Sequence, residues 1–166
     1  MQDNIFILLG SNLGDRKVFL TQARKAIEQQ CGKILTTSHL YETAPWGFKS
    51  DDWFLNQVIE IENDLTAIQL LEKLLTIETS LGRTRSTTQY SSRNIDIDLL
   101  YFGNQVFSTT KLIVPHPRLH LRKFTLLPLC EIAPDFIHPV SQKSQLELLH
   151  QLTDDSVVRR LENAAD

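Results

Sequence analysis

Two acidic residues two positions apart, Asp96 and Asp98, interrupt the otherwise apolar run Ile95-Asp96-Ile97-Asp98-Leu99-Leu100-Tyr101-Phe102. Successive side chains alternate along a strand, so the two acids are expected to project together, with Ile95, Ile97, Leu99 and Tyr101 on the opposite face. Burying two like charges side by side is costly, and each disfavours ionisation of the other. A divalent cation removes both penalties. Magnesium takes oxygen ligands in octahedral geometry and commonly combines a few carboxylates with water and substrate phosphates. The pair therefore reads as a magnesium site, able to hold two ions when a nucleotide completes their shells. An acidic edge strand paired with nearby arginines is the structural alternative, because Asp-x-Asp alone is a weak motif.

The surroundings favour phosphate chemistry. Arg83, Arg85 and Arg93 lie upstream in a Ser/Thr-rich stretch, and His116 and Arg122 follow within Val114-Pro115-His116-Pro117-Arg118-Leu119-His120-Leu121-Arg122. Guanidinium groups make directional, charge-assisted bonds to phosphate, so these cations are suited to hold a triphosphate that magnesium activates. Taken singly, each arginine reads as a solvent-facing ion-pair partner and His116 as a local hydrogen-bonding residue. Neither a Walker A nor a Rossmann glycine pattern occurs. Gly10-Ser11-Asn12-Leu13-Gly14 lacks the P-loop lysine and reads mainly as a tight strand-to-helix turn.

The elements that must position these residues follow from periodicity. Residues 5–9 predict a strand covered on both faces, and a helix begins near Asp15, with Phe19, Ala23, Ala26 and Ile27 at helical spacing. Residues 34–41 and 54–62 predict further strands, separated by a loop over 42–52 that contains Pro45 and Gly47. Thr66 with Gln69 forms a capping box, Leu65 and Leu70 a hydrophobic staple, and Leu70, Leu74, Ile77 and Leu81 a buried stripe that ends at Gly82. Residues 83–93 read as a loop, 95–102 as a strand, and Val106-Phe107 and Leu112-Ile113-Val114 as short strands. Helical pieces are expected at 123–130, despite Pro128, and at 144–152. The order strand, helix, strand, strand, helix, strand predicts an α+β sandwich of ferredoxin-like type, with helices over one side of an antiparallel or mixed sheet and additional C-terminal elements. A parallel α/β sheet is the competing fold.

With 166 residues and 42% apolar content, the chain suits one domain over 1–160, with 161–166 as a flexible tail. The last dozen residues, polar apart from Val157, Val158 and Leu161, read either as frayed chain or as a small packed extension. A net charge of −3 argues against a broad nucleic-acid surface. Cys31 and Cys130 read as reduced thiols, and neither a signal segment nor a membrane-spanning run is found, so a cytoplasmic, monomeric protein is expected.

Six motifs together resemble those of the 6-hydroxymethyl-7,8-dihydropterin pyrophosphokinases of folate biosynthesis: Gly10-Ser11-Asn12-Leu13-Gly14, Tyr41-Glu42-Thr43-Ala44-Pro45, Phe54-Leu55-Asn56, Gly82-Arg83-Thr84-Arg85, Arg93-Asn94-Ile95-Asp96-Ile97-Asp98 and Val114-Pro115-His116-Pro117-Arg118. The resemblance implies a ferredoxin-like α+β enzyme that transfers pyrophosphate from ATP to the pterin hydroxymethyl group with two magnesium ions, giving AMP and a pterin diphosphate. It implies that Asp96 and Asp98 bind both ions and that Arg83, Arg93, Asp96 and Asp98 are catalytic. ATP is implied to meet Glu78, Arg83, Arg85, Tyr90, Arg93, Ile97, His116 and Arg122, with Tyr90 in a loop that closes over the nucleotide. Pterin is implied to meet Thr43, Ala44, Trp46, Phe54, Asn56 and Phe124, the two phenylalanines flanking the ring and Asn56 bonding its edge. For Glu78 an exposed helix-end carboxylate is an equal reading, and for Phe54 and Phe124 the alternative is core filling. The chain departs from the family at Gln89 and Tyr90, where Arg and Trp are common, and at Trp46, where an aliphatic residue is common. A metal-dependent nucleotide hydrolase and a non-catalytic pterin or nucleotide-binding module are the rival functions.

Overall fold

The computed structural model describes residues 2–44, 53–82 and 94–162. Its elements are β1 (Gln2–Ser11), α1 (Arg16–Gln30), β2 (Lys33–Thr37), β3 (Tyr41–Thr43), β4 (Phe54–Asn63), α2 (Ala67–Ser80), β5 (Asp96–Phe102), β6 (Phe107–Ser108), β7 (Ile113–Val114), α3 (Lys123–Ile132), α4 (Gln145–His150) and β8 (Val158–Arg160).

The helix starts follow from local chemistry. The Asp15 carboxylate accepts the Val18 N–H at 3.2 Å and opens α1. At α2, Thr66 Oγ1 accepts the Gln69 N–H at 3.2 Å while Gln69 Oε1 accepts the Thr66 N–H at 2.9 Å, which is the predicted capping box. Gly82, at φ 93°, ends that helix in a conformation that costs glycine little. Pro128 lies inside α3 but is buried, so packing offsets the backbone hydrogen bond it cannot make.

One sheet runs in the order β5-β1-β4-β3-β8, with β2 also paired to β4, and every pairing is antiparallel. This is the ferredoxin-like arrangement, and the parallel alternative is excluded. The predicted strand over 34–41 divides in two. Ser38 lies at the break, where its N–H donates to the Val58 carbonyl at 2.9 Å, its hydroxyl accepts the Val58 N–H at 3.0 Å, and its carbonyl accepts from Gln57 Nε2 at 2.7 Å. The C-terminal extension is packed through β8, and Leu161 donates its N–H to the Leu40 carbonyl at 2.8 Å. Among the described residues no helix is long and apolar enough to cross a membrane.

Two cores lie on opposite faces of the sheet. Ile5, Ile7, Leu9, Leu55, Ile59, Ile61, Ile97 and Leu99 pack against Leu20, Ala23 and Ile27 of α1 and Leu70, Leu74 and Ile77 of α2. Phe6, Leu8, Val58, Leu100 and Tyr101 pack against Leu126 and Leu129 of α3 and Leu148 of α4. Helices therefore cover both faces, not the one side expected, because α3 and α4 pack on the face that α1 and α2 leave open. Tyr101 corrects the expected alternation of β5: it belongs to the second core, not to the face of Ile97 and Leu99. The cause is a register shift, since Phe6 pairs with Tyr101 but Ile7 pairs with Leu99, which leaves Leu100 as an extra residue. A bulge of this kind reverses the facing of every residue beyond it.

Candidate active site

Residues directly opposite each other on neighbouring strands share a face of the sheet. Asp96 is opposite Gly10, Gly10 opposite Asn56, Asn56 opposite Tyr41, and Tyr41 opposite Arg160. The next row inward is Asp98, Leu8 and Val58. Leu8 and Val58 belong to the second core, so the two acids, Asn56 and Tyr41 all face the side covered by α3. Asp96 and Asp98 are both half-buried, with their Cα atoms about 6.7 Å apart at ordinary strand rise. The expectation that they project together is met.

Gly10 sits between the acids and the amide. A methyl group there would lie 2.7 Å from Asn56 Oδ1, so a side chain would displace Asn56 and fill the floor between it and Asp96. The sequence pattern marks Gly10 mainly as a turn glycine, with a ligand-edge role as the lesser reading, yet it is the penultimate residue of β1. Asn56 is buried, and its Nδ2 donates to Thr43 Oγ1 at 3.2 Å. Phe54 and Thr43 form the next opposed pair on this face toward the sheet end, beyond Glu42 and Leu55, which face the other way. Thr43 and Asn56, expected at the pterin edge, and Phe54, expected on its face, are thus neighbours.

Phe124 enters from the first turn of α3 and Arg122 from its N-cap position, and α3 packs over β3 and β4. Phe124 is only partly buried against the second core, and the Arg122 guanidinium lies over its ring, 5.4 Å from the centroid. His116 is tied to β5 by its N–H, which donates to the Leu100 carbonyl at 2.9 Å. Its Nδ1 accepts the Arg118 N–H at 3.1 Å, so the neutral ring carries its proton on Nε2 as a donor. Burial, followed by the charges of Arg122 and Arg118, pushes the His116 pKa down to about 4 against the opposing pull of Asp96. The ring is neutral at physiological pH.

Glu78 and Ile97 belong to the other side of β5. Glu78 is buried, not an exposed helix-end acid, and its carboxylate accepts the Ile97 N–H at 2.7 Å. β5 is an edge strand, and this bond satisfies one outward-facing amide between the two acids. The Ile97 N–H is therefore already engaged. The Ala44 N–H is likewise engaged, with the Val157 carbonyl at 3.2 Å. Arg83, Arg85, Tyr90, Arg93 and Trp46, with Gln89, lie outside the described residues.

One supporting group has no sequence signal. Glu131 of α3 accepts the Tyr41 hydroxyl at 2.7 Å and the His39 N–H at 2.9 Å, and its Oε2 lies 2.8 Å from His39 Nδ1. Burial pushes the Glu131 carboxyl up, but the bonds from His39 and Tyr41 outweigh it and hold the group below the ordinary carboxylate range. This carboxylate ties the helix bearing Phe124 to the strand bearing Thr43. Its partners are some ninety positions away in the chain, beyond the reach of any periodicity.

The donor set suits a magnesium ion that keeps water and phosphate oxygens: two carboxylates on one strand, and no cluster of three or more His, Cys, Asp or Glu side chains among the described residues. A closed structural metal cage would need more.

A family model described as 7,8-dihydro-6-hydroxymethylpterin-pyrophosphokinase matches residues 6–134. A 2-amino-4-hydroxy-6-hydroxymethyldihydropteridine pyrophosphokinase of Bacillus subtilis (strain 168) is 42% identical over 133 residues, covering 80% of this chain and 79% of its own. The enzyme of the same name from Methylorubrum extorquens is 38% identical over 158 residues, covering 95% and 98%. The Pneumocystis carinii folic acid synthesis protein fol1 is 37% identical over 153 residues, of which this chain spans 20%. A crystal structure of wild-type Plasmodium falciparum HPPK-DHPS superposes with a TM-score of 0.71 at 15% identity, covering 91% of this chain and 45% of that one; this likeness supports the fold, and the chain spans under half of that solved molecule. With the match extending from β1 to just past α3, the chain belongs to the 7,8-dihydro-6-hydroxymethylpterin-pyrophosphokinase family.

Proposed function

We propose that this chain transfers the pyrophosphoryl group of ATP to the hydroxymethyl group of 6-hydroxymethyl-7,8-dihydropterin, giving AMP and the pterin diphosphate, as a single catalytic domain over residues 1–160 that acts as a monomer in the cytoplasm. The observation that carries this reading is the row Asp96, Gly10, Asn56, in which a half-buried carboxylate and a buried side-chain amide face the same space across a glycine.

Asp96 and Asp98 would hold two magnesium ions, which would neutralise phosphate charge and polarise the phosphorus under attack. Phe124 and Phe54 supply aromatic faces for a flat heterocycle, and Asn56, held by Thr43, bonds its polar edge. Ala44 and Trp46 contribute to the same edge. The Nε2–H of neutral His116 donates to a phosphate oxygen, and Arg122, beside Phe124, places positive charge between the heterocycle and the phosphates. Arg83, Arg85, Arg93 and Tyr90 complete the nucleotide contacts. Glu78 acts through β5 by fixing the Ile97 amide between the acids. The pterin hydroxyl attacks the β-phosphorus and AMP leaves. The protein contributes orientation and charge stabilisation, with no dedicated side-chain base.

Product identification with ATP, magnesium and the pterin tests the proposal. AMP and pterin diphosphate in equal amounts are expected. ADP formation would indicate ordinary kinase action, phosphate release without pterin a hydrolase, and no AMP at saturation a binding module; each overturns it.

A further inference from the structure

Two arginines remote in sequence converge on one carboxylate at the sheet end. Arg159 of β8 donates from Nη2 to Glu42 Oε2 at 2.9 Å, and Arg16, the first residue of α1, brings its Nη2 to 3.5 Å from Glu42 Oε1. The same two arginines also reach Trp53. Arg16 Nη1 donates to the Trp53 carbonyl at 2.7 Å, and the Arg159 guanidinium stacks over the indole, 4.6 Å from the ring centroid. Glu42 immediately precedes Thr43, and Trp53 immediately precedes Phe54. Thr43 and Phe54 are the final opposed pair of β3 and β4. Each arginine thus bridges the two strands at the pair of positions assigned to pterin.

β8 grips β3 along its backbone too. Val158 is opposite Thr43 and Arg160 opposite Tyr41, and the Val157 carbonyl takes the Ala44 N–H. β3 has only three residues, so its position depends on both neighbours. β8 lies beyond residue 134, where the match to the family model ends, so this support belongs to the part of the chain that the family pattern does not describe.

We infer that β8, through Arg159 acting with Arg16 on Glu42 and Trp53, is a positioning device that sets the separation of Thr43 and Phe54 and thereby the affinity for the pterin. The inference rests on the pyrophosphokinase reading above. The Glu42 side chain is only 15% exposed while that of Arg159 is 62% exposed. A single ion pair open to water contributes little to global stability. Sharing one largely buried carboxylate between two guanidiniums that also hold Trp53 instead confines the effect to the strand ends. Arg16 and Arg159 do not touch the substrate in this scheme; they act through Thr43, Phe54 and the amide of Asn56 that Thr43 accepts.

The test compares the wild-type chain with Arg159→Ala, Arg16→Ala, the double variant, Arg159→Lys and Glu42→Gln, reading kcat, KM for each substrate, pterin binding by calorimetry, and melting temperature. Each single alanine variant is expected to raise pterin KM by up to about fivefold, and the double variant by more, with kcat and ATP KM within about twofold of wild type. Arg159→Lys should recover part of the effect, because lysine keeps the charge near Glu42 but stacks less well on Trp53. An unchanged pterin KM, equal rises in both KM values, or a lowered melting temperature with unchanged pterin binding would overturn the inference. Wild-type protein that fails to form AMP would overturn the functional reading instead, and the two failures are separated because the first is seen in variants of an active enzyme.

Discussion

The two faces of one sheet differ in how far their apolar rows continue. On the side of α1 and α2, β1 presents Ile5, Ile7 and Leu9, β4 presents Ile61, Ile59 and Leu55, and β5 presents Leu99 and Ile97, all buried to the end. On the side of α3 and α4 Phe6 and Leu8, Val58, and Tyr101 and Leu100 are apolar, with Glu60 opposite Phe6 at the outer end of β4, and the rows then change to Gly10, Asn56, Asp98 and Asp96. The first face is packing at these positions, broken in β4 by the buried Gln57 opposite Leu9, whose Oε1 accepts from Arg24 Nη1 of α1 at 2.7 Å. The second is half packing and half site, and its apolar half anchors the helix whose first turn carries Phe124. The candidate site is thereby placed on strands that the other face packs against α1 and α2, the arrangement that positions polar groups with least reorganisation.

Substitutions that separate the faces test this division. Asp96→Ala or Asp98→Ala should lower pyrophosphoryl transfer by at least about 100-fold, the scale of losing a principal charge-stabilising group, with a melting temperature close to wild type. Normal turnover would remove the cation-binding assignment. Leu9→Ala or Ile59→Ala, on the opposite face, should instead cost about 2–5 kcal/mol of stability in chemical denaturation. A large loss of activity without destabilisation there would dissolve the contrast. Phe124→Ala should weaken pterin binding by about tenfold, through loss of an aromatic face, while ATP affinity changes little; calorimetry showing unchanged pterin affinity would return Phe124 to a packing role.

Smaller effects concern titration. The Glu131 pKa is depressed by folding, so its bonds to His39 and Tyr41 contribute stability above the unfolded carboxyl value of 4.5 and lose it as pH falls through the lower folded value. Glu131→Gln should flatten the acid limb of a stability-against-pH curve; a limb as steep as wild type would show that other groups control it. His116 is depressed as well, from 6.5 to about 4. Its neutral form is favoured in the fold, so its contribution is full above 6.5 and declines as pH falls toward 4, where the folded ring also protonates. NMR of the ring nitrogens at pH 6 should find a neutral His116 with the proton on Nε2, and a midpoint near 6.5 would contradict its burial.

Much of the fold is legible in the sequence because its signals are local. The capping box of Thr66 and Gln69, the cap at Asp15 and the glycine stop at Gly82 each depend on groups within a few residues. Asp96 and Asp98 are legible for the same reason, since strand alternation places them together. Tyr101 departs from its expected face because a bulge at Leu100 depends on how β5 meets β1, which no single-strand pattern records. Residues 34–41 read as one strand because nothing in their hydropathy reveals that Ser38 exchanges bonds with β4. Glu78 stands evenly between surface and site until its bond to the Ile97 amide decides its burial.

What the amino-acid order determined unaided is the local elements and the family: the acid pair on its strand, the caps that open the helices, and the family pattern spanning the match. Tertiary structure alone decided the space beside those groups. Gly10 opens the floor only because β1 lies between β5 and β4; Glu131 joins α3 to β3 across some ninety residues; Arg159 meets Glu42 because β8 returns to the sheet. The physical reason is range: periodicity and capping act over a few residues, whereas register and side-chain convergence depend on which distant strands come to lie side by side.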